Sequence, residues 1–190
     1  MSEFENRAID QFSIPGGVFI SEGHCWVGLN EDGTARVGLD DFAKKMIGKI
    51  DDIEPPNVGR IIKKGQPLFS VKVGLRTIPF LTPISGKILK VNTHLKENLD
   101  NLEITIYNKN WICLIDTDNF DNEVKDLKIG KSAVEFYQDE IKDCRSHFKS
   151  IVEERKKEKA LAGENGFYFG KIETLNDKEW AKTIKQFFSK

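Results

Sequence analysis

The chain has 190 residues, and its 29 Lys plus Arg balance 30 Asp plus Glu to a net charge of -1, so no basic excess marks it for nucleic acid or an anionic membrane surface. Three cysteines, Cys25, Cys113 and Cys144, are odd in number and widely spaced, which argues against a disulfide framework and against a Cys-x-x-Cys metal or redox motif. No apolar run reaches the ~20 residues of a membrane span, and Glu3, Glu5 and Asp10 break the order of a secretory signal, so a cytoplasmic location is expected.

Residues 1–16 read as an N-terminal arm, a peripheral strap leading to Pro15, Gly16 and Gly17. Val18 to Leu29 reads as a strand, Asn30 to Gly33 as a turn, and Thr34 to Leu39 as its hairpin partner. Asp40 then caps a short helix whose apolar residues Phe42, Met46 and Ile47 share one face, with Gly48 ending it. Lys49 to Glu54 resumes extended structure, and Pro55-Pro56 breaks it because neither proline donates to a ladder.

The most informative stretch is Gly65 to Gly86. An apolar run from Leu68 to Val73, a turn at Gly74, Leu75 and Arg76, and a second run from Ile78 to Leu81 make a hairpin closed by Pro83 and Gly86. Lys87 to Asn92 alternates as a half-buried strand, residues 93–103 form a polar loop anchored by leucines, and Trp111 to Ile115 is the last strand. Many short strands with close turns describe a β-barrel or sandwich, and no phosphate-binding glycine motif is present.

From about Leu127 the period changes. Val134, Tyr137, Ile141, Cys144, Phe148 and Ile151 recur at helical spacing, and Gly163 and Gly166 end the helix. The aromatic segment Phe167-Tyr-Phe-Gly is expected to dock, and a last helix from Asn176 to Phe188 places Trp180, Ile184, Phe187 and Phe188 on one side. The expected division is an arm at 1–16, a β domain at 17–126 and a helical extension at 127–190.

Several blocks stand in a common order: Glu22-Gly-His-Cys-Trp-Val, Gly33-Thr-Ala-Arg-Val-Gly-Leu-Asp-Asp-Phe-Ala, Gly48-Lys-Ile, Pro56-Asn-Val-Gly, Lys63-Lys-Gly and Pro83-Ile-Ser-Gly-Lys-Ile-Leu-Lys-Val-Asn. As a set in register they resemble the H-protein family of the glycine cleavage system, over about Gly17 to Ile141. The resemblance implies a flattened, pseudo-symmetric β-barrel of the lipoyl/biotinyl type, a barrel-sandwich hybrid with short helices, here followed by a helical extension. It also implies a hairpin that presents a lipoylated lysine eight residues before the proline of a Ser-Pro-Val-Ser-Gly-like turn. Counting back from Pro83 reaches Leu75. The chain resembles a lysine-less H-like subgroup.

Arg76 cannot replace the missing amine, since a guanidinium stays protonated. Lys72 is the nearest amine, three residues or about 10 Å before the tip, and alternation groups it with Leu68 and Ser70. Leu75, Ile78 and Phe80, together with Trp180, Ile184, Phe187 and Phe188, are candidates for an apolar partner surface unless the C-terminal helices fold back over them.

Other clusters favour structural roles. His24 and Cys25 are strand neighbours whose side chains diverge, His94 and His147 lack ligands at metal spacing, and the pairs Asp40-Asp41 and Asp51-Asp52 suit capping and solvation. No catalytic residue, metal or cofactor is expected.

The reading that follows is a non-catalytic adaptor that binds glycine-cleavage or related lipoate and redox enzymes. Two rivals stand beside it. One is a lipoyl carrier modified at Lys72; the other is a small-ligand binder with a pocket between barrel and C-terminal helices, closed by Trp180 and Phe187.

Overall fold

A computed structural model of the chain describes residues 7–9, 12–97, 99, 107, 109–157 and 172–190. In chain order the strands begin with β1 (Arg7–Ile9), β2 (Phe12–Ile14), β3 (Phe19–Ile20), β4 (Cys25–Leu29) and β5 (Thr34–Leu39), followed by helix α1 (Asp41–Ile47). Next come β6 (Asp52–Glu54), β7 (Ile61–Ile62), β8 (Pro67–Val73), β9 (Arg76–Leu81) and β10 (Gly86–Val91). Helix α2 (His94–Glu97), β11 (Trp111–Asp116), α3 (Phe120–Glu123), α4 (Lys131–Lys157) and α5 (Asp177–Phe187) complete the series.

All strand pairs are antiparallel. A six-stranded sheet in the order β3-β4-β5-β11-β10-β7 faces a three-stranded sheet in the order β6-β8-β9, and β1-β2 form a separate hairpin. The expected arm is therefore a hairpin, and Phe12 and Ile14 are buried rather than peripheral.

Local chemistry accounts for the boundaries. The β4–β5 turn is pinned by Asn30 N to Thr34 O at 2.8 Å and by the Asp32 carboxylate, which accepts from the Thr34 amide at 3.0 Å. Asp40 Oδ1 accepts from Ala43 N at 2.8 Å and caps α1, while Gly48 closes it by donating to Lys44 O. Gly38 is required by packing: an added Cβ would lie 2.6 Å from both Asn110 O and Trp26 Nε1.

The strand expected from Val18 to Leu29 is instead two strands, β3 and β4, joined by a tight turn. His24 sits in that turn at φ 62°, a left-handed conformation uncommon for a residue with a Cβ. The His24 N to Ser21 O bond at 3.0 Å and the Cys25 N to Ser21 Oγ bond at 3.0 Å close it.

The helical extension is built onto the same core. Lys128 pairs with Ile20 in both directions at 2.8 Å, extending the sheet edge, and Glu123 accepts from Ser85 N at 2.6 Å. On α4, Ala133, Tyr137, Ile141, Cys144, Phe148 and Ile151 are buried, which is the stripe read from helical spacing with Val134 at its margin. Asn176 and Glu179 form a capping box at the start of α5. Gly163, Gly166 and Phe167-Tyr-Phe-Gly lie outside the described residues, as do residues 98 and 100–103 of the loop expected at 93–103, the start of which is instead helix α2.

Candidate functional site

Strands β8 and β9 pair from Pro67 with Leu81 to Val73 with Arg76, so the turn has two central residues, Gly74 and Leu75. Gly74 has φ 60°, the positive angle that a tight hairpin of this kind needs at its first central position. Its amide donates to Asp51 Oδ2 at 2.7 Å, and this bond, with help from Lys49, holds the Asp51 carboxyl below the ordinary carboxylate range.

Leu75 stands at the apex with a relative exposure of 102%, so its side chain touches nothing. Arg76, next to it, is tied down on the other side. Its Nη1 donates to Leu175 O at 2.6 Å, its Nη2 reaches Asp177 Oδ1 at 2.6 Å, and its guanidinium lies 4.9 Å from the Trp180 ring centre. The turn is thus held from two flanks, by the β6 side through Asp51 and by the start of α5 through Arg76.

Lys72 is exposed one residue before the end of β8, between Asp52 on β6 and Thr77 on β9. Leu68 does not share its face as expected. The register shifts between Pro67 and Phe69, and this bulge turns Leu68 into the core at 3% exposure.

Of the apolar residues proposed as a partner surface, Leu75 is exposed and Trp180 half-buried, and the other five lie in the core. Ile78, Phe80, Phe187 and Phe188 are buried, and Ile184 is 9% exposed. Phe80 stacks on Phe69 with centroids 5.2 Å apart and meets Phe188 edge-on at 5.4 Å. The physical reason is that α5 folds back, because its apolar side and the core side of β9 bury each other more effectively than water covers either. Trp180 remains half-buried over Arg76, and Phe187 lies 6.2 Å from Phe42 inside the core.

Behind the hairpin lies a buried polar cluster that sequence reasoning missed. His24, fully buried, sets Nδ1 2.9 Å from Asp40 Oδ2 and Nε2 3.5 Å from Glu140 Oε2, and its ring stacks on Phe42 at 4.3 Å. Burial opposes a charge there, but Asp40 and Glu140 outweigh it and push His24 up to about 9. Glu140 in turn receives Lys190 Nζ at 2.6 Å. An ion chain therefore runs from the N-cap of α1 through the β3–β4 turn to α4 and on to Lys190. The only hint in the sequence was that Glu140 falls one turn before Cys144 and one residue before Ile141, on the apolar stripe.

Cys25 and His24 do diverge: the imidazole is committed to carboxylates, while Cys25 Sγ points to Leu81 O at 3.7 Å. Burial raises the Cys25 thiol well above its ordinary value, so it is no nucleophile. His147 bonds Thr183 Oγ1 at 2.7 Å and fastens α4 to α5. Among the described residues no cluster of three or more His, Cys, Asp or Glu could hold a metal, and no helix is long and apolar enough to cross a membrane.

A flattened antiparallel barrel with a protruding two-residue hairpin and a fold-back helix defines a lipoyl-domain-like protein. The Glycine cleavage H-protein model matches residues 18–140, and the chain belongs to that family. It is 30% identical over 128 residues to the "Probable glycine cleavage system H protein" of Pyrococcus furiosus, covering 67% of this chain and 95% of that one. The Oceanobacillus iheyensis H protein is 30% identical over 127 residues, covering 67% and 99%. The "Glycine cleavage system H protein 2" of Aquifex aeolicus is 32% identical over 114 residues, covering 60% and 71%. The fold is also that of the crystal structure of the Mycobacterium marinum H protein, with a TM-score of 0.55 at 22% identity, covering 67% of this chain and 98% of that one. The last part of α4 and all of α5 lie beyond the matched residues.

Proposed function

We propose that this chain is a non-catalytic adaptor of the H-protein family, cytoplasmic, which binds glycine-cleavage or related lipoate and redox enzymes without bearing the lipoyl arm. The observation that carries the reading is the composition and bracing of the hairpin tip. Acylation needs a primary amine, and the apex residue Leu75 has none. The neighbouring Arg76 has a guanidinium that stays protonated and is already engaged by Leu175, Asp177 and Trp180.

A swinging arm also needs a base that a modifying enzyme can reach from several sides, whereas α5 occupies one flank of this turn. What remains presented is an uncharged leucine on a rigid mount, a geometry suited to a protein contact: holding a recognition group in place before binding reduces the ordering cost of association. The arm, the domain at 17–126 and the extension at 127–190 then have separable roles, the extension bracing the hairpin.

The test is the intact mass of the protein after incubation with lipoate, ATP and a lipoyl ligase that fully modifies a control H protein. An unmodified mass is expected. A lipoyl adduct on Lys72, lost in Lys72→Arg, would overturn the adaptor reading and make the chain a carrier. Affinity capture on the immobilised protein should then retain a glycine-cleavage or related enzyme, and retention should fall in Leu75→Ser.

A further inference from the structure

A cavity of about 460 Å3 opens where the base of the hairpin meets the β3–β4 turn and the segment just before α4. It is separate from the hairpin tip, and its volume is in the range that takes a small molecule. Four ammonium groups line it, from Lys64, Lys125, Lys128 and Lys190, against two carboxylates, Glu22 and Asp126.

The pairing inside this set is uneven. Asp126 is bound by Lys64 at 2.5 Å, Glu22 lies 3.5 Å from Lys128, and Lys190 is held by Glu140 at 2.6 Å. Lys125 has instead the neutral Asn122 Oδ1 at 3.3 Å, so among the described residues its charge is not met by a carboxylate. Ser21 also lines the cavity, and its Oγ accepts from the Cys25 amide at 3.0 Å, a bond that uses a lone pair and not the hydroxyl proton.

We propose that this cavity binds a small anion carrying a phosphate or carboxylate group, with Lys125 as its principal cation and Ser21 Oγ as a neutral donor. Concave walls with an excess of one charge concentrate counter-ions, and hydrogen bonds from an ammonium to an oxyanion are stronger than neutral ones. Three of the wall segments belong to the barrel, Lys125 to Lys128 spans its junction with the extension and Lys190 lies in the extension, so the bound anion would also tie the extension to the barrel. The proposal rests on the cavity alone, and its failure would leave the adaptor reading untouched.

The full-length protein is titrated calorimetrically with inorganic phosphate and, in a separate series, with succinate, at an ionic strength held constant with sodium chloride. Saturable binding of at least one is expected, and the tighter of the two names the head group. Lys125→Gln should weaken it by about tenfold or more, while Lys131→Gln, outside the cavity, should bind as the wild type does. Melting curves of both variants check that the fold is intact. No saturable binding of either anion beyond the chloride-matched blank, or equal binding by Lys125→Gln, would overturn the proposal.

Discussion

Arg76, at the tip of the central hairpin, donates through Nη2 to Asp177 Oδ1 at 2.6 Å across 101 residues of sequence, and so joins the turn to the first residue of α5. Its second donor, to Leu175 O, and its stacking over Trp180 make the contact three-sided. Arg76→Ala should therefore destabilise the protein by about 1–2 kcal/mol, less than the sum of the contacts because Asp177 is exposed and solvent screens it. Hydrogen exchange of the Gly74 to Thr77 amides should quicken in the variant while β11 amides stay protected.

Leu75→Lys supplies the amine that the apex lacks. The position is fully exposed, so stability should change by no more than about 0.5 kcal/mol. If bracing by α5 is what keeps the tip from modification, the lipoyl ligase should modify Leu75→Lys poorly and the double variant Leu75→Lys with Arg76→Ala well. Intact mass spectrometry reads the difference, and equal modification of both would show that the amine alone was missing.

The stability should depend on pH through His24. Its folded value, about 9, lies above the ordinary 6.5, so the folded state holds a proton that the unfolded state releases. Stability from this group is fully present below pH 6.5 and is lost as pH rises through about 9. The shift corresponds to roughly 3 kcal/mol at most. Urea midpoints should fall between pH 6.5 and about 8.5 in the wild type, and this slope should vanish in His24→Gln; at higher pH the buried thiols of Cys25, Cys113 and Cys144, which burial pushes up, add a fall of the same sign in both proteins.

Phe188 is fully buried and meets both Phe80 and the His24 ring edge-on. Phe188→Ala should cost about 3–5 kcal/mol, the value for a large aromatic removed from a packed core. A cost below 1 kcal/mol in chemical denaturation would mean that α5 is a loosely held appendage.

Hairpins, caps and the helix stripe were legible from local pattern. Asp40 and Asn176 cap as their positions suggest, and Gly33, Gly48 and Gly74 take the positive φ that turns or helix ends ask of them. The site was legible only in part. Leu75 was placed at the tip by counting from Pro83, but Ile78, Phe80, Phe187 and Phe188 were equally compatible with an exposed patch and with a core. A one-residue shift between Pro67 and Phe69 was invisible, and it moved Leu68 from one face to the other.

By itself the sequence determined the β4–β5 turn, the central hairpin, helices α1, α4 and α5, the family, and the absence of an amine at the hairpin apex. These follow from periodicity, turn chemistry and residue identity, which are local properties. Only the tertiary structure decided that α5 folds back to hold Arg76, and that His24, Asp40 and Glu140 meet in the core. Those contacts join residues more than a hundred positions apart, and they depend on which apolar faces bury each other, a choice made by the whole chain at once.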